Sequence, residues 1–453
     1  MAGPSLDYTY RYPQPSALYH DQTGERLLLA TTAEAGAPSL FFRGTLIEPR
    51  RTADLLLTLV RVVQSRFHIP AQMLQRIIAQ ADPVVTCSED RLRFEAFSAC
   101  CSTYARVDLL PSAIDGVFLG HGTTNVDFNP GMRTALARVN EREPVRLSVG
   151  AGEVEVVSDG GSVVERKVPL PLRWLKGFVE SQAYLAAMTP RMEVSGTEAR
   201  RFLRSLPRQG SQGRATWVTR SGPGLRLSQV ASREAVRVAG VERLRLLEDL
   251  ARHIQGLRVY ATPDGQATLW EANCGDARFQ IALSPEVWRG FSGEGQLLTD
   301  LAQMSDEGAL QSVRTALRWQ SRLNAEALAR ECSLDAGAVR TALAKLAAGG
   351  LVGYDVFQAG YFHRELPFDL ARIEGLQPRL KDARKLVAEQ AVRVESQSGD
   401  EVDAWVQGSG VEHRVRLNSE GSRCTCPWFA KHQGDRGPCK HVLAVQLTLN
   451  DES

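Results

Sequence analysis

The sequence of 453 residues predicts a multidomain α+β protein, and three observations lead to this prediction. A unit made of a strand, a helix and a hairpin occurs twice in the middle of the chain. A pattern typical of a winged helix-turn-helix follows the second copy. Near the C-terminus, three cysteines and one histidine have the spacing of a metal site in a small ββα-type domain. A chain of this length is also expected to divide into several cores.

The bulk composition is that of a globular protein, with 43% hydrophobic and 23% charged residues. Because the formal net charge is only +2, a nucleic-acid partner would have to be held by a local basic patch. Only seven of the 54 basic residues are lysine. Arginine suits bidentate phosphate recognition, but the codon bias of a GC-rich genome gives the same excess, and we prefer that interpretation.

The N-terminus lacks the charged start and apolar stretch of a secretory signal. The most apolar run, Leu55–Val63, is too short for a membrane span and is interrupted by Thr58 and Arg61. We therefore expect a cytoplasmic protein without a membrane partner. In that compartment its eight cysteines stay reduced, so clustered cysteines indicate metal binding rather than disulfides.

Residues 1–65 form the first predicted segment, with a mixed α/β pattern and no chemical motif. Apolar runs at Arg26–Thr31 and Ser39–Leu46 predict strands. Arg51–Phe67 follows with the apolar spacing of an amphipathic helix.

The duplication divides the next part of the chain into repeat unit A, residues 66–185, and repeat unit B, residues 186–297. Each unit begins with a strand that runs into a helix, at Phe67–Ile78 and at Met192–Leu203. Each continues with a hairpin, then a helix and three strands. Trp174 and Trp288 occupy matching places near the ends of the units and are expected to be core or staple residues.

The order of elements in these units resembles the DNA-clamp fold of sliding clamps, whose domains pair two half-units around a shared sheet. The resemblance is one of topology, covers roughly residues 66–295 and includes no clamp sequence motif. It implies a clamp-like body, which would encircle DNA only if further domains closed a ring.

Residues 301–366 have the pattern of a winged helix-turn-helix. Asp335 is placed to cap the helix Ala336–Ala348, and a glycine pair ends that helix. Such folds lay this second helix in the DNA major groove. Here Arg340 and Lys345 are the candidate DNA contacts of that helix. For this domain, protein docking or a purely structural role is as good an interpretation as DNA contact. The predicted helices and wing strands are Ala309–Trp319, Ala325–Cys332, Ala336–Ala348, Leu351–Tyr354 and Ala359–Arg364.

The domain from 380 to 453 carries the clearest chemistry, because Cys424, Cys426, Cys439 and His441 form a C-x-C…C-x-H set. Three thiolates and a neutral imidazole give Zn²⁺ four tetrahedral ligands and leave no position open. We therefore predict one structural Zn²⁺. A helical stretch and three strands precede the set, at Lys381–Gln390, Ala391–Gln397, Ala404–Gln407 and Glu412–Leu417.

The spacing within each pair is compatible with this site. Cysteines at positions i and i+2 of an extended strand point to the same side. Within a helix, positions i and i+2 lie on opposite sides, but Pro438 places Cys439 at the start of a helix and His441 in its first turn. A helix N-terminus also favours the thiolate form of cysteine.

The set resembles a SWIM-type zinc finger, whose motif is C-x-C, a variable loop and C-x-H between short strands and an apolar helix. The segments CTCPWF and PCKHVLAVQL match this pattern at every ligand position, over about Ala391–Leu449. The resemblance implies binding of DNA or of other proteins. It also suggests a partner such as a helicase-like ATPase, since the family's finger occurs attached to such enzymes.

The surroundings of the finger are basic, with six cations against three acids between Val411 and His441. Trp405, Trp428 and Phe429 could stack on single-stranded bases or form the core of the small domain, which is our preference for Trp405. The candidate nucleic-acid contacts of the finger are Arg414, Arg416, Arg423, Lys431, Arg436 and Lys440.

We therefore predict a zinc-binding, non-catalytic protein that binds or associates with DNA; the alternative is an adaptor whose finger and winged helix dock partner proteins. An enzyme is the least favoured class, since the sequence has no P-loop, G-x-S-x-G, H-E-x-x-H or Rossmann fingerprint. The one stretch that looks like an active-site loop is His121–Gly131, an insertion in unit A that includes Asp127 and Asn129. A solvated turn is the simpler interpretation of such an insertion.

Overall fold

The structure is a computed structural model. It describes residues 8–9, 17–21, 24–28, 40–67, 83–125, 128, 130–141, 144–150, 155–157, 169–170, 172–209, 216–291, 307–366, 378–399, 401–408, 410–419, 421–434 and 436–451.

An eight-stranded sheet forms the centre of the described chain, with the order β13-β17-β18-β19-β7-β6-β5-β9. Both repeat units contribute four strands, and the antiparallel pairing of β19 with β7 joins the two halves. The strands β6 and β7 are buried along their whole length, which indicates that both faces of the sheet are covered. The strands are β5 (Val84–Cys87), β6 (Leu92–Phe97), β7 (Thr103–Leu109), β9 (Gly122–Asn125), β13 (Thr189–Ser195), β17 (Gly256–Ala261), β18 (Thr268–Asn273) and β19 (Ala277–Leu283).

A second sheet joins the N-terminal segment to repeat unit A, with the order β11-β3-β10-β4-β8 and β2 paired to β3. The duplication predicted equivalent closing strands in the two units. In the structure, β10 and β11 of unit A lie in this second sheet, whereas β17–β19 of unit B lie in the central one. The strands are β2 (Ala17–Asp21), β3 (Gly24–Leu28), β4 (Phe42–Leu46), β8 (Ile114–Phe118), β10 (Val145–Val149) and β11 (Glu155–Val157).

Helices and two small sheets complete the body. Helix α1 packs on β6 and β7, as its apolar stripe predicts. The start predicted for unit A at Phe67–Ile78 lies almost wholly outside the described residues. The remaining elements are α1 (Pro49–Gln64), α2 (Pro130–Arg138), α3 (Leu172–Ala187), α4 (Gly196–Arg204), the pair β1 (Tyr8–Thr9) with β12 (Pro169–Leu170), and the sheet β15 (Gly224–Ser228), β14 (Thr216–Ser221) and β16 (Val236–Val238).

Three local features of the body differ from the predictions. The last strand expected in unit A is only the two-residue β12, and helix α3 follows it, burying Trp174 against Phe97 and Phe178. Trp288 follows β19 with 58% of its surface exposed, so it is not a core residue. The second helix expected in unit B is a 3-10 helix, Val241–Leu250.

The segment after residue 306 forms a separate helical core and a hairpin. Helices α5 (Glu307–Thr315), α6 (Ala325–Cys332) and α7 (Ala336–Ala348) precede β20 (Val352–Asp355) and β21 (Gly360–His363). Both α6 and α7 have the predicted bounds because local caps set them. Asn324 accepts a hydrogen bond from the Ala327 N–H, and Asp335 accepts from the N–H groups of Gly337 and Ala338.

The β20–β21 hairpin, predicted as a two-stranded wing, packs against the central sheet. Asp355 lies 3.4 Å from Arg93 and 3.1 Å from Arg106, and all three side chains are buried. The Arg93 guanidinium also stacks 4.0 Å from the centre of the Phe362 ring. Gly353 makes room for that ring, since a Cβ there would lie 2.3 Å from it. The hairpin is thus part of the body of the molecule.

The C-terminal domain has a four-stranded antiparallel sheet, β22-β23-β24-β25, with helix α10 packed on its inner face and on α8. The sequence missed β25 and the short helix α9. The elements are α8 (Pro378–Ala388), β22 (Val392–Ser398), β23 (Glu401–Gln407), β24 (Glu412–Asn418), β25 (Gly421–Cys424), α9 (Pro427–His432) and α10 (Lys440–Asp451). Among the described residues, no helix combines the length and apolar character that crossing a membrane requires.

Candidate metal centre and nucleic-acid interface

The inner face of the C-terminal sheet positions the first two predicted ligands. Cys424 ends β25 opposite Val415 and is buried, as is Cys426, while Thr425 between them is exposed. This alternation is what an extended backbone gives. The Cys426 N–H donates to the Cys424 Sγ over 3.5 Å, and the Phe429 N–H donates to the Cys426 Sγ over 3.3 Å. Cys426 is therefore the N-cap of α9.

The other two ligands lie where α10 begins. The Leu443 N–H donates to the Cys439 carbonyl over 3.0 Å, so Cys439 stands at the helix start and His441 in its first turn. A hydrogen bond from the Cys424 thiol, with others from His441 and the Val442 N–H, lowers the pKa of the Cys439 thiol to about 4 despite its burial. The chain thus favours a thiolate at this position.

The four ligand atoms lie within 4.8 Å of one another, and all four residues are buried. The Cys424 Sγ and the His441 Nδ1 are 3.8 Å apart. Bonds of about 2.3 Å to sulfur and about 2.0 Å to nitrogen in a tetrahedron put the ligand atoms roughly 3.5–3.8 Å from each other. The cluster therefore fits one structural Zn²⁺ with no coordination position left for a substrate.

The comparisons with known proteins agree with this centre. Residues 413–450 match the family model of the SWIM zinc finger. The matched stretch includes nearly all of β24 and α10 and the whole of β25 and α9, and it contains all four ligands. No curated protein sequence matches the chain.

Among solved structures, the chain is similar to the proliferating cellular nuclear antigen of Entamoeba histolytica. The identity is 9% and the TM-score 0.32, over 54% of this chain and 98% of that chain. A similarity of this size carries no argument about a shared fold.

The outer face of the sheet, opposite the side packed on α10, has a cluster of three arginines on β24 and β25. Arg414 and Arg416 alternate on β24, and Arg416 stands directly opposite Arg423 on β25. Asp403 on β23 pairs with two of them: it accepts two hydrogen bonds from Arg414, at 2.8 and 2.5 Å, and one from Arg416 at 3.2 Å. These hydrogen bonds, chiefly those from Arg414, lower the pKa of Asp403. The carboxylate fixes two guanidinium groups side by side.

A cleft of about 740 Å³ opens between this basic face and α9. We call it the arginine cleft. The three arginines of the outer face line it together with Ser422, Cys424, Thr425, Phe429 and Gln433.

The remaining predicted cations lie elsewhere. Lys440 faces Asp382 of α8 at 3.9 Å, and Lys431 is exposed on α9 without lining the cleft. Arg436 lies in the loop before α10. On α7, which belongs to the separate helical core, Arg340 is exposed near Glu326 at 4.0 Å and Lys345 is half-buried. The structure thus groups three of the eight predicted nucleic-acid residues.

The three aromatic residues near the finger have different surroundings. Trp405 lies on the outer face rather than in the core, with its Nε1–H donating to the Glu395 carboxylate over 2.8 Å. Trp428 has the Arg379 guanidinium 4.6 Å from its ring centre. Phe429 is the aromatic residue that lines the arginine cleft.

Sequence analysis missed Asp403, because its role depends on the pairing of β23 with β24. The alternation of Arg414 and Arg416 along a predicted strand was the available signal for a basic face. Of the insertion at His121–Gly131, Gly122–Asn125 forms β9, while Asp127 and Asn129 lie outside the described residues.

Proposed function

We propose that this chain is a non-catalytic, cytoplasmic DNA-binding protein whose SWIM zinc finger holds the DNA backbone on its outer sheet face. The observation that carries the proposal is the placement of Arg416 directly opposite Arg423, beside Arg414. Like charges paired across strands destabilise a sheet, and Asp403 supplies only one negative charge against the three guanidinium groups. An anionic partner such as a phosphate would balance the remaining positive charge, and guanidinium groups are suited to bind it in a bidentate manner.

The helical core around α7 supports DNA contact less strongly. Its β20–β21 hairpin is packed into the body by Asp355, so a wing is not free to reach a groove. Arg340 has acidic Glu326 nearby and is one of only two cations on α7. We therefore assign this core a structural or docking role, and a clamp-like arrangement of the body remains part of the proposal.

The alternative function is an adaptor for other proteins, such as a helicase-like ATPase. The observation in its favour is that Val117 on β8 and Leu119 directly after it are exposed, and β8 is an edge strand among the described residues. Exposed apolar side chains at a sheet edge are one way to dock a partner strand.

The test is fluorescence anisotropy of a labelled DNA duplex with the full chain, over a series of salt concentrations and with or without a zinc chelator. Phosphate contacts release counterions, so we expect binding that weakens steeply with salt and disappears when zinc is removed. A protein with one zinc per chain that binds no DNA at low salt would contradict the proposal and favour the adaptor.

A further inference from the structure

The arginine cleft combines two kinds of surface. Arg416 and Arg423 supply positive charge, and Phe429 supplies an aromatic ring. Thr425 and Gln433 add hydrogen-bonding groups. Duplex DNA needs the charge alone for backbone contact, because the faces of its bases are covered by stacking. An aromatic ring beside a basic groove is instead the arrangement that binds single strands.

The dimensions of the cleft agree with an unpaired nucleotide. Its volume of about 740 Å³ lies within the roughly 300–1,000 Å³ that small-molecule pockets span. A base that is paired within a duplex cannot leave the stack without losing its partner, whereas an unpaired base can turn into such a cleft.

Phe429 is held in place by the metal centre. Its backbone N–H donates to the Sγ of the ligand Cys426 over 3.3 Å, and its ring packs partly on the core of the domain. Trp428, the neighbouring aromatic, is already covered by Arg379 and lies 4.8 Å from the His432 ring. Phe429 is thus a preorganised aromatic surface in the cleft.

We infer that the arginine cleft binds single-stranded DNA, with one unpaired base against the Phe429 ring and the adjoining phosphates at Arg416 and Arg423. This inference rests on the proposed function and specifies which form of DNA the finger prefers. Asp403 acts here as a positioning residue, since it orients Arg414 and Arg416 and does not line the cleft.

The test compares oligo-dT with a duplex of equal length, both labelled, on the full zinc-loaded chain and on Phe429→Leu. Leucine keeps an apolar side chain against the core but removes the π face. Stacking on one aromatic residue contributes about 1–3 kcal/mol, so we expect Phe429→Leu to weaken oligo-dT binding by roughly 5- to 160-fold. Duplex affinity should change less than about twofold, since no base stacks there.

Two controls separate the possible failures. The first is the zinc content: one zinc per chain shows that Phe429→Leu has kept the finger folded. The second is the variant Gln433→Ala, which changes another, exposed residue of the cleft lining and so gives an independent probe of the cleft. Equal loss on both DNAs, or no loss on oligo-dT with either variant, would overturn the single-strand inference while leaving DNA binding by the arginines intact. Absence of binding to either DNA by the unaltered chain would overturn the inference and the proposed function together.

Discussion

Cys439 is the ligand with the strongest local support for a thiolate. It stands at the N-terminus of α10, accepts a hydrogen bond from Cys424, and has a pKa lowered to about 4. The same hydrogen bond raises the pKa of the Cys424 thiol, so zinc binding must displace the proton of Cys424.

Substitution of Cys439 by serine is expected to abolish zinc binding, because a three-ligand site with a poorly coordinating hydroxyl cannot close the tetrahedron. Metal analysis of the purified protein should fall from one zinc per chain to near zero. Cys332→Ser is the matched control, as Cys332 is a free, half-buried cysteine on α6 that should leave zinc unchanged. Unaltered zinc in the Cys439 variant would contradict the ligand assignment.

The ligands were predictable from sequence because the constraint is short-range: C-x-C in an extended strand and C-x-H after a proline fix the side-chain directions. Asp403 was not predictable. Its contact with Arg414 and Arg416 depends on the register between β23 and β24, which a single sequence does not specify.

The β20–β21 hairpin is the element whose placement most changes the interpretation of the chain. Asp355 meets Arg93 and Arg106, and Arg364 meets Glu95 at 2.7 Å, all buried. Burial opposes the ionisation of Asp355, but the guanidinium groups of Arg106 and Arg93 outweigh it and lower its pKa to about 2. These ion pairs fix the hairpin to the central sheet.

Asp355→Asn should destabilise the body, since it leaves two buried guanidinium groups short of a counter-charge. Removal of one partner from a buried pair costs about 3–5 kcal/mol. Chemical denaturation followed by tryptophan fluorescence measures the loss. Glu389→Gln breaks the exposed pair with Lys385 and is expected to change stability by less than about 0.5 kcal/mol. Equal effects of the two variants would contradict the buried network.

The same network predicts a pH dependence. A carboxyl group with a lowered pKa stabilises the folded state above its unfolded pKa, here 3.8, and this contribution is lost as the pH falls towards about 2. The stability difference between the unaltered chain and Asp355→Asn should therefore be constant near neutral pH and shrink below 3.8. A difference that grows on acidification would have the wrong sign.

Local signals gave α6 and α7 their bounds, because each is set by a capping side chain one residue before it. No local signal of this kind predicts the contact of the hairpin with β6 and β7. Asp355 is 262 residues from Arg93 in sequence, and only the folded chain brings them together.

At the scale of the whole molecule, the sheet of the zinc finger and the central sheet belong to different clusters. Val402, Val406 and Val415 lie in the cluster around the ligands, whereas Leu380 of α8 and Leu443 of α10 belong to the cluster that buries the central sheet. Loss of the metal should therefore act first on the strands of the finger and on α9.

Zinc removal is expected to unfold the finger locally, because metal binding supplies much of the folding free energy of so small a domain. Hydrogen exchange after treatment with a chelator should show faster exchange in β24, β25 and α9 and unchanged protection in β6, β7 and β19. Exposure of the central sheet to exchange would mean that the two cores unfold together.

The duplication predicted that two units share the middle of the chain, and four strands from each do meet in one sheet. The exchange of β10 and β11 into a sheet with β3 and β4 was not predictable, since strand partners far apart in sequence leave no periodic signal.

The most direct measurement is the salt dependence of DNA affinity, compared among three proteins. These are the unaltered chain, the double variant that carries both Arg416→Ala and Arg423→Ala, and the single variant Arg393→Ala. Arg393 is the matched control: it lies on the same sheet, pairs loosely with Glu412 at 3.9 Å, is 61% exposed against 59% for Arg416, and does not line the cleft. Each lost phosphate contact lowers the slope of log affinity against log salt by about 1. We predict a slope reduced by about 2 in the double variant and unchanged in Arg393→Ala; equal slopes in all three proteins would contradict DNA binding by this face.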